Sequence, residues 1–228
     1  MDFNTGTGGT RDPGGSPSGP SSPPPRTSGV AADTEFRYTD PVQTFIGTVQ
    51  AIVLDPVNFF RGILRQGDFI NPLIFALICY EVSAILGGII AVAFGARGFG
   101  GLISAIIIGP IIAAVVLFIW AGIIHLLVML IVGSRNGGYE ATFRVFAYAA
   151  VTQLVSWLSA IPILGILISI ALAVYGVILS IIGIREVHTT TTGKAALVVL
   201  IPVGVLALLG IVLALAVGAF LFNAMNAQ

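Results

Sequence analysis

Residues Ala195–Phe222 read AALVVLIPVGVLALLGIVLALAVGAFLF, a run that contains no charged side chain. Four further apolar stretches precede it, at Pro72–Gly95, Leu102–Val132, Val145–Ile161 and Ile163–Ile184. A helix needs about 20 apolar residues to cross the roughly 30 Å hydrocarbon core of a bilayer. Only helices and closed barrels satisfy their backbone hydrogen bonds there, and these runs lack the alternation of barrel strands. The sequence therefore predicts an all-α, polytopic membrane protein with five transmembrane helices.

The composition excludes several classes of function. Hydrophobic residues make up 57% of the 228 residues and charged residues only 9%, which is unlike a soluble globular domain. The formal net charge is zero and the sequence has no basic face, so we expect no nucleic-acid partner. The single cysteine, Cys79, excludes an intrachain disulfide. We expect the lipid bilayer to be the main partner.

The first 68 residues divide into two segments. Residues 1–40 are rich in Gly, Pro, Ser and Thr, and we expect a disordered tail because such a composition buries too little apolar surface to offset its ordering entropy. Residues 41–68 show helical periodicity, with a first apolar face made of Val42, Phe45, Ile46, Val49, Ile52 and Val53. The polar side of the same helix would carry Gln43, Thr44, Thr48 and Gln50.

Asp55-Pro56 ends that helix and begins a second one, whose apolar face consists of Val57, Phe59, Phe60, Ile63 and Leu64. Two short amphipathic helices thus precede the first span. They either lie in the membrane interface or pack on the cytoplasmic ends of the helix bundle.

Lysine and arginine residues in the short loops predict the orientation. With a cytoplasmic N-terminus, six cations lie on the inner side, namely Arg61, Arg65, Arg135, Arg144, Arg185 and Lys194. The opposite side carries only Arg97. We therefore expect a multi-pass protein of the plasma membrane with its C-terminus outside; an endoplasmic reticulum or Golgi membrane is the alternative for a eukaryotic chain. Residues 69–228 form the five-helix domain, in which the shortest span, Val145–Ile161, is either a full crossing or a re-entrant loop.

Four polar side chains lie inside the predicted spans, namely Glu81, His125, Gln153 and Tyr175. At 1.5 Å per residue, each lies roughly 10–13 Å from the inner end of its helix, so the four form a candidate intramembrane layer. A lone carboxylate in lipid is costly, so Glu81 should face the interior, where His125 is its nearest candidate partner. The layer is either an ion or proton site or a hydrogen-bonded cluster that sets helix register.

No catalytic constellation accompanies this layer. With His125 and His188 as the only histidines, an HExxH motif and a His-His metal pair on one helix are both excluded. Residues His188–Ala195 resemble half of a phosphate-binding loop, but they lack its first glycine and its final Ser or Thr. We expect no enzymatic activity, no catalytic residue, no cofactor and no metal ion.

Small residues recur at four-residue spacing in several spans, most clearly at Gly210, Ala214 and Gly218. Such rows allow helix backbones to approach closely. They predict tight packing inside the bundle or a homo-oligomer formed through the last helix.

A series of short motifs runs through the apolar region. It consists of Asp55–Arg61, His125-Leu126-Leu127, Gly137–Arg144, Tyr148-Ala149-Ala150, Ile161–Gly165, Gly176, Gly183-Ile184, His188 and Lys194-Ala195. In this order and with five spans, residues 54–222 resemble the Yip1-domain family of membrane proteins, in its bacterial branch.

The resemblance implies an integral membrane protein with a cytosolic N-terminus. Eukaryotic members act in traffic between the endoplasmic reticulum and the Golgi and contact Rab GTPases, but their Asp-Leu-Tyr-Gly-Pro signature is missing here. We expect a non-enzymatic scaffold that organises the membrane or binds protein partners, with a trafficking-like role by analogy. The alternative is a transporter or channel for a small solute or ion that uses the Glu81/His125 layer.

Overall fold

The computed structural model describes residues 34–96, 98–133, 136–161 and 163–226. All regular structure in these ranges is helical, which confirms the predicted fold class. The elements are α1 (Pro41–Leu54), α2 (Pro56–Gly62), α3 (Ile70–Ala93), α4 (Phe99–Ile131), α5 (Gly138–Ala149), a 3₁₀-helix (Ala150–Ala160), α6 (Leu164–Val187) and α7 (Thr192–Asn226). Most of the predicted tail, residues 1–33, lies outside the described residues.

Four helices, α3, α4, α6 and α7, are long and apolar enough to cross a membrane. The prediction of five spanning α-helices is therefore wrong for the third span, which is not among these four helices. The segment predicted as Val145–Ile161 belongs to a longer pass that begins at Gly138 and consists of α5 followed directly by the 3₁₀-helix. At 1.5 Å per α-helical and about 2.0 Å per 3₁₀ residue, this pass is roughly 40 Å long.

The hydroxyl side chains of the third pass explain its change of helix type. Thr152 donates a hydrogen bond to the carbonyl of Ala149 at 3.1 Å. In the same way, Ser156 donates to the carbonyl of Gln153 and Ser159 to that of Ser156, in each case three residues earlier in the chain. A side-chain donor at this spacing competes with the backbone hydrogen bonds of an α-helix. The tighter 3₁₀ pattern follows, in which carbonyls bond three rather than four residues ahead.

The third pass occupies the centre of the bundle, where it packs against α3, α4 and α6. Every residue from Ala141 to Thr152 is buried. A side chain at Gly183 of α6 would place its Cβ 2.5 Å from Cγ1 of Val145, so the absence of a side chain there lets α5 and α6 approach. Hydropathy predicted only Val145–Ile161 of this segment, because a helix surrounded by protein need not be uniformly apolar.

The two N-terminal helices pack on the bundle. Phe45 of α1 lies 5.1 Å from Phe75 of α3 between ring centroids. Phe59 of α2 contacts Tyr148 of α5, also at 5.1 Å and edge to face. These aromatic contacts bury α1 and α2 against the start of α3 and the middle of the third pass.

The predicted faces of α1 need a correction. Thr44, Thr48 and Ile52 form its buried face, although the two threonines were assigned to the polar side. Their hydroxyls are satisfied locally, since Thr48 donates to the carbonyl of Thr34 at 2.7 Å and Thr44 to that of Asp40. Buried threonine is therefore tolerated here, and part of the predicted apolar face points outward instead.

The described structure begins before the expected tail boundary at Asp40. Glu35 and Phe36 are both buried, and the Phe36 ring lies 6.0 Å from Phe75. The tail composition gives no sign of this, because one glutamate and one phenylalanine barely change the average of the segment. The residues that follow Thr34 are part of the folded protein.

Candidate functional site

The largest fully buried side chain of the described residues is Arg144, at 1% exposure. It extends from α5 toward the segment that precedes α1. Its Nη1 donates to Oε2 of Glu35 at 2.7 Å, while Nε and Nη2 each donate to Oε1 of Glu140 at 3.1 Å. Nη2 also donates to the backbone carbonyl of Asp68 at 2.8 Å. A buried guanidinium is stable only when paired and hydrogen-bonded in this way.

Glu35 receives hydrogen bonds on both carboxylate oxygens. Besides Arg144, the Tyr148 hydroxyl donates to Oε2 at 2.9 Å and the Leu64 backbone N–H donates to Oε1 at 2.6 Å. Burial raises the pKa of the Glu35 carboxyl above its ordinary value, and these donors oppose the rise. Since all three partners are donors, the geometry fits the ionised carboxylate.

The loop between α2 and α3 closes this network, which we call the Arg144 clamp (Glu35, Asp68, Glu140, Arg144 and Tyr148). Asp68 accepts from the backbone N–H of Asn71 at 2.7 Å, which caps the first turn of α3. A Cβ on Gly67 would lie 2.8 Å from Nη2 of Arg144, so glycine lets the loop reach the guanidinium. The clamp thereby joins the N-terminal segment, the start of α3 and α5.

A second polar cluster joins the ends of α4 and α6 to the start of α5. The backbone N–H of Gly137 donates to Nδ1 of His188 at 3.0 Å, so Nε2 of His188 carries the ring hydrogen. Nε2 lies 3.0 Å from Oγ1 of Thr142, which lies 2.9 Å from Nδ1 of His125. Burial lowers the pKa of His188 to about 4, and the nearby His125 and Arg65 make smaller contributions in the same direction. His188 is therefore a neutral structural group at neutral pH.

The predicted polar layer does not form as one unit. The Glu81 carboxylate lies beside Gly109 of α4, whereas His125 contacts Thr142. Gly109 and His125 are separated by roughly 24 Å along α4. One common layer would require α3 to begin and α4 to end at the same level, but Phe69 before α3 contacts Phe118 of α4 at 5.9 Å between centroids. The last turns of α4, with His125, thus extend beyond the start of α3.

The other two predicted residues are also placed separately. Oε1 of Gln153 accepts from the Ser156 hydroxyl at 3.0 Å, and Ser156 shares a hydrogen bond with Ser83 of α3. Tyr175 of α6 is half-buried against the core. Gln153 therefore takes part in a hydroxyl-rich contact between the third pass and α3, without Glu81 or His125.

A cavity of about 520 Å³ lies between the third pass, α4, α6 and α7. Its polar lining comprises Tyr80 of α3 together with Thr152, Gln153, Ser156, Ser159, Ser169 and Ser180. Its apolar lining includes Trp120 and Phe146 and, on α7, Val199 and Val203. Of the four residues of the predicted layer, Gln153 lines the cavity, whereas Glu81, His125 and Tyr175 do not.

Sequence reasoning missed the Arg144 clamp. Arg144 was counted as a cation of a cytoplasmic loop, but it lies inside α5 and is buried. One signal was available, because Glu140 and Arg144 are spaced to pair on one helix. The other buried partner of Arg144, Glu35, lies in a segment whose composition predicts disorder. No local sequence pattern could connect that segment to α5.

A family model described as the Yip1 domain matches residues 51–224. The match includes α3 to α7 and the 3₁₀-helix, and it leaves out Glu35 and most of α1. No curated protein and no solved structure matches the chain.

Proposed function

This chain belongs to the Yip1 domain family, and on that premise we propose that it is a non-enzymatic scaffold that organises the membrane around it. The observation that carries the proposal is the exposed side of α1. Val42, Ile46 and Val53 share one side of this helix and are 69%, 52% and 50% exposed. Apolar side chains exposed in a row on a membrane protein mark contact with lipid or with another protein.

Lipid is the occupant that the position of α1 favours. The backbone N–H of Tyr38, just before α1, donates to the Asn71 side chain in the first turn of α3. The start of α1 therefore lies level with the point where a spanning helix begins. No charged residue occurs in Pro41–Leu54, and an uncharged helix with an outward apolar row suits the interfacial layer of a bilayer.

The Arg144 clamp supports a scaffold because it fixes α1 and α2 relative to the spans. Glu35 precedes α1 and Asp68 follows α2, and both contact the buried Arg144 of α5. The two N-terminal helices are thus held at both ends. A rigidly held interfacial helix displaces lipids at a defined place, which is how such a helix imposes local order or curvature on one leaflet.

The competing transporter function has less support, since the two titratable groups proposed for it contact different helices and lie far apart. We propose further that the N-terminal helices face the cytoplasm of a plasma membrane. Protein partners, or a second copy bound through α7, would then join a fixed platform.

An environment-sensitive fluorophore on α1 tests the lipid contact. The protein has one cysteine, the buried Cys79, so a Cys79→Ala background accepts single cysteines at chosen sites. In liposomes, a label at Ile46→Cys should report an apolar environment. A label at Gln43→Cys, exposed on another side of the same helix, should report water.

The organising role has its own measurement. Liposomes that contain the protein should differ in diameter from protein-free liposomes, and Ile46→Ser should reduce the difference more than Gln43→Ser does. Equal, water-like signals at both labelled positions would contradict the interfacial placement. A label effect without any change in vesicle diameter would leave α1 in the interface but contradict membrane organisation.

A further inference from the structure

The cavity beside the third pass has two chemically different walls. One wall belongs to the 3₁₀-helix and α6 and carries five hydroxyls and one amide; the opposite wall, from α4 and α7, is apolar. Among the described residues, no Asp, Glu, Lys, Arg or His side chain lines it. A volume of about 520 Å³ lies inside the usual range of small-molecule sites, roughly 300–1,000 Å³. The walls suit a neutral ligand with a polar end and an apolar body.

The hydrogen bonds of the polar wall indicate which polar group the ligand carries. The hydroxyls of Thr152, Ser159 and Ser180 each donate to a backbone carbonyl of their own helix, at 3.1, 2.6 and 2.7 Å. Since each hydroxyl has one hydrogen and two lone pairs, these oxygens remain as acceptors. A ligand can therefore donate to these oxygens, while the Gln153 amide N–H groups and the Tyr80 hydroxyl of the same lining can donate in return. A hydroxyl group both donates and accepts without the cost of bringing a net charge into an uncharged cavity.

The route of entry indicates that the ligand is amphiphilic. Ser159 and Ser169 of the lining are exposed, whereas Thr152 and Ser180 are buried, so the cavity is open at the first two and closed at the others. The α7 wall ends at Val203, and from Gly204 to Asn226 every residue of α7 is exposed. Beyond Val203, α7 is apolar and exposed, and we expect lipid to surround it. A ligand that reaches the cavity along this part of α7 therefore dissolves in lipid.

We propose that this cavity binds a neutral, single-chain amphiphile whose hydroxyl-bearing end contacts Thr152 and Ser180 and whose chain leaves past α7 into the bilayer. The apolar wall of Trp120, Phe146 and the two α7 valines packs along the chain. This site is separate from the α1 surface, so it can hold or fail independently of the scaffold function.

Tryptophan quenching tests the proposal directly. The chain has two tryptophans, and Trp120 lines the cavity, so a Trp157→Phe background reports on this site alone. The probe is a long-chain fatty alcohol brominated in mid-chain, compared with the fatty acid of equal chain length at a pH where it is ionised. We expect saturable quenching by the alcohol, and an apparent affinity for the acid that is at least about tenfold weaker.

Two α6 substitutions provide a matched pair. Ala173→Phe adds a ring at a lining position, whereas Ala171→Phe adds the same ring at an exposed position of the same helix that does not line the cavity. The first should abolish saturable quenching and the second should preserve it. Thr152→Val, which removes one acceptor with little change of shape, should weaken alcohol binding about two- to tenfold.

Non-saturable quenching, equal for alcohol and acid and unchanged by Ala173→Phe, would show partition into lipid only and would overturn the proposal. If Ala173→Phe fails to fold, the comparison of alcohol with acid and the Thr152→Val variant remain decisive. An alcohol that binds no better than the acid, or a valine variant that binds as well as its parent, would overturn it equally.

Discussion

At the scale of single residues, Arg144 imposes the strictest requirement on the fold. Its guanidinium is buried and needs an anionic partner at all times, because removing one member of a buried ion pair leaves an uncompensated charge. Glu35 supplies that partner from a distant part of the chain at 2.7 Å. The ion pair between Arg61 and Glu186 is a natural contrast, since the Arg61 side chain is 62% exposed.

Glu35→Ala should therefore lower the free energy of unfolding by about 3–5 kcal/mol. The matched substitution Arg61→Ala, which removes the exposed member of its pair and leaves Glu186 bonded to Arg185, should cost about 1 kcal/mol or less. Denaturant unfolding of the detergent-solubilised protein measures both. Similar losses for the two variants would contradict a structural role for the Arg144 clamp.

His188 predicts a pH dependence of stability. Its pKa is lowered from 6.5 to about 4 in the folded protein, so on acidification the unfolded chain takes up a proton first. Stability should be full above pH 6.5 and should decrease as the pH falls toward 4, by about 3 kcal/mol in total.

His188→Asn is the control for this effect, because an amide oxygen can still accept from the Gly137 N–H but does not titrate. The raised pKa of Glu35 makes stability increase as the pH falls. This contribution is the same in the parent and in His188→Asn, so it cancels when the stabilities of the two proteins are subtracted. If the parent and His188→Asn lose stability in parallel between pH 6.5 and 4, His188 is not the titrating group.

At the scale of elements, the segment from Thr34 to Asp40 behaves as part of the fold. Deleting residues 2–33 should leave the stability of the bundle unchanged. Deleting residues 2–38 also removes Glu35 and the buried Phe36, and each loss alone costs about 3–5 kcal/mol. Size-exclusion chromatography and thermal unfolding in detergent separate the two outcomes; equal behaviour of both truncations would show that this segment is dispensable.

The elements also show what local sequence can predict. The four long helices follow from long apolar runs, of which only the first contains a charged residue, Glu81, and their observed ends lie within a few residues of the predicted ones. The third pass was too short in the prediction because Thr142 and Arg144 interrupt its apolar run, although both are satisfied inside the bundle. The contact between Glu81 and His125 was wrong because sequence gives depth along a helix but not the relative heights of two helices.

At the scale of the whole molecule, the four long helices and the segment made of α5 and the 3₁₀-helix alternate in direction. The clamp joins the start of α3 to α5, and the bond between Gly137 and His188 joins the start of α5 to the end of α6. These contacts place the N-terminal helices and the start of α7 at one end of the bundle. The second half of α7 leaves the other helices, and we expect lipid or a second copy to surround it.

Cysteine accessibility tests the proposed orientation. In the Cys79→Ala background, an impermeant thiol reagent added to intact cells should modify Gly98→Cys, between α3 and α4. It should spare Thr191→Cys, between α6 and α7, until the membrane is permeabilised. Both positions are exposed and tolerate a side chain. The reverse labelling pattern would place the N-terminal helices outside the cell.

The burial of Arg144 has a consequence for biosynthesis. A nascent segment that carries an arginine is costly to release from the translocon into lipid. The cost is up to about 2.5–3.5 kcal/mol when the arginine lies at the bilayer centre and less near an end, where Arg144 lies. Glu35, α3 and α4 are made before α5, so the counter-charge and two of the surrounding walls exist when α5 emerges. The third pass can then leave the translocon in contact with protein that is already folded rather than with lipid. The helices would assemble in the order in which they are synthesised.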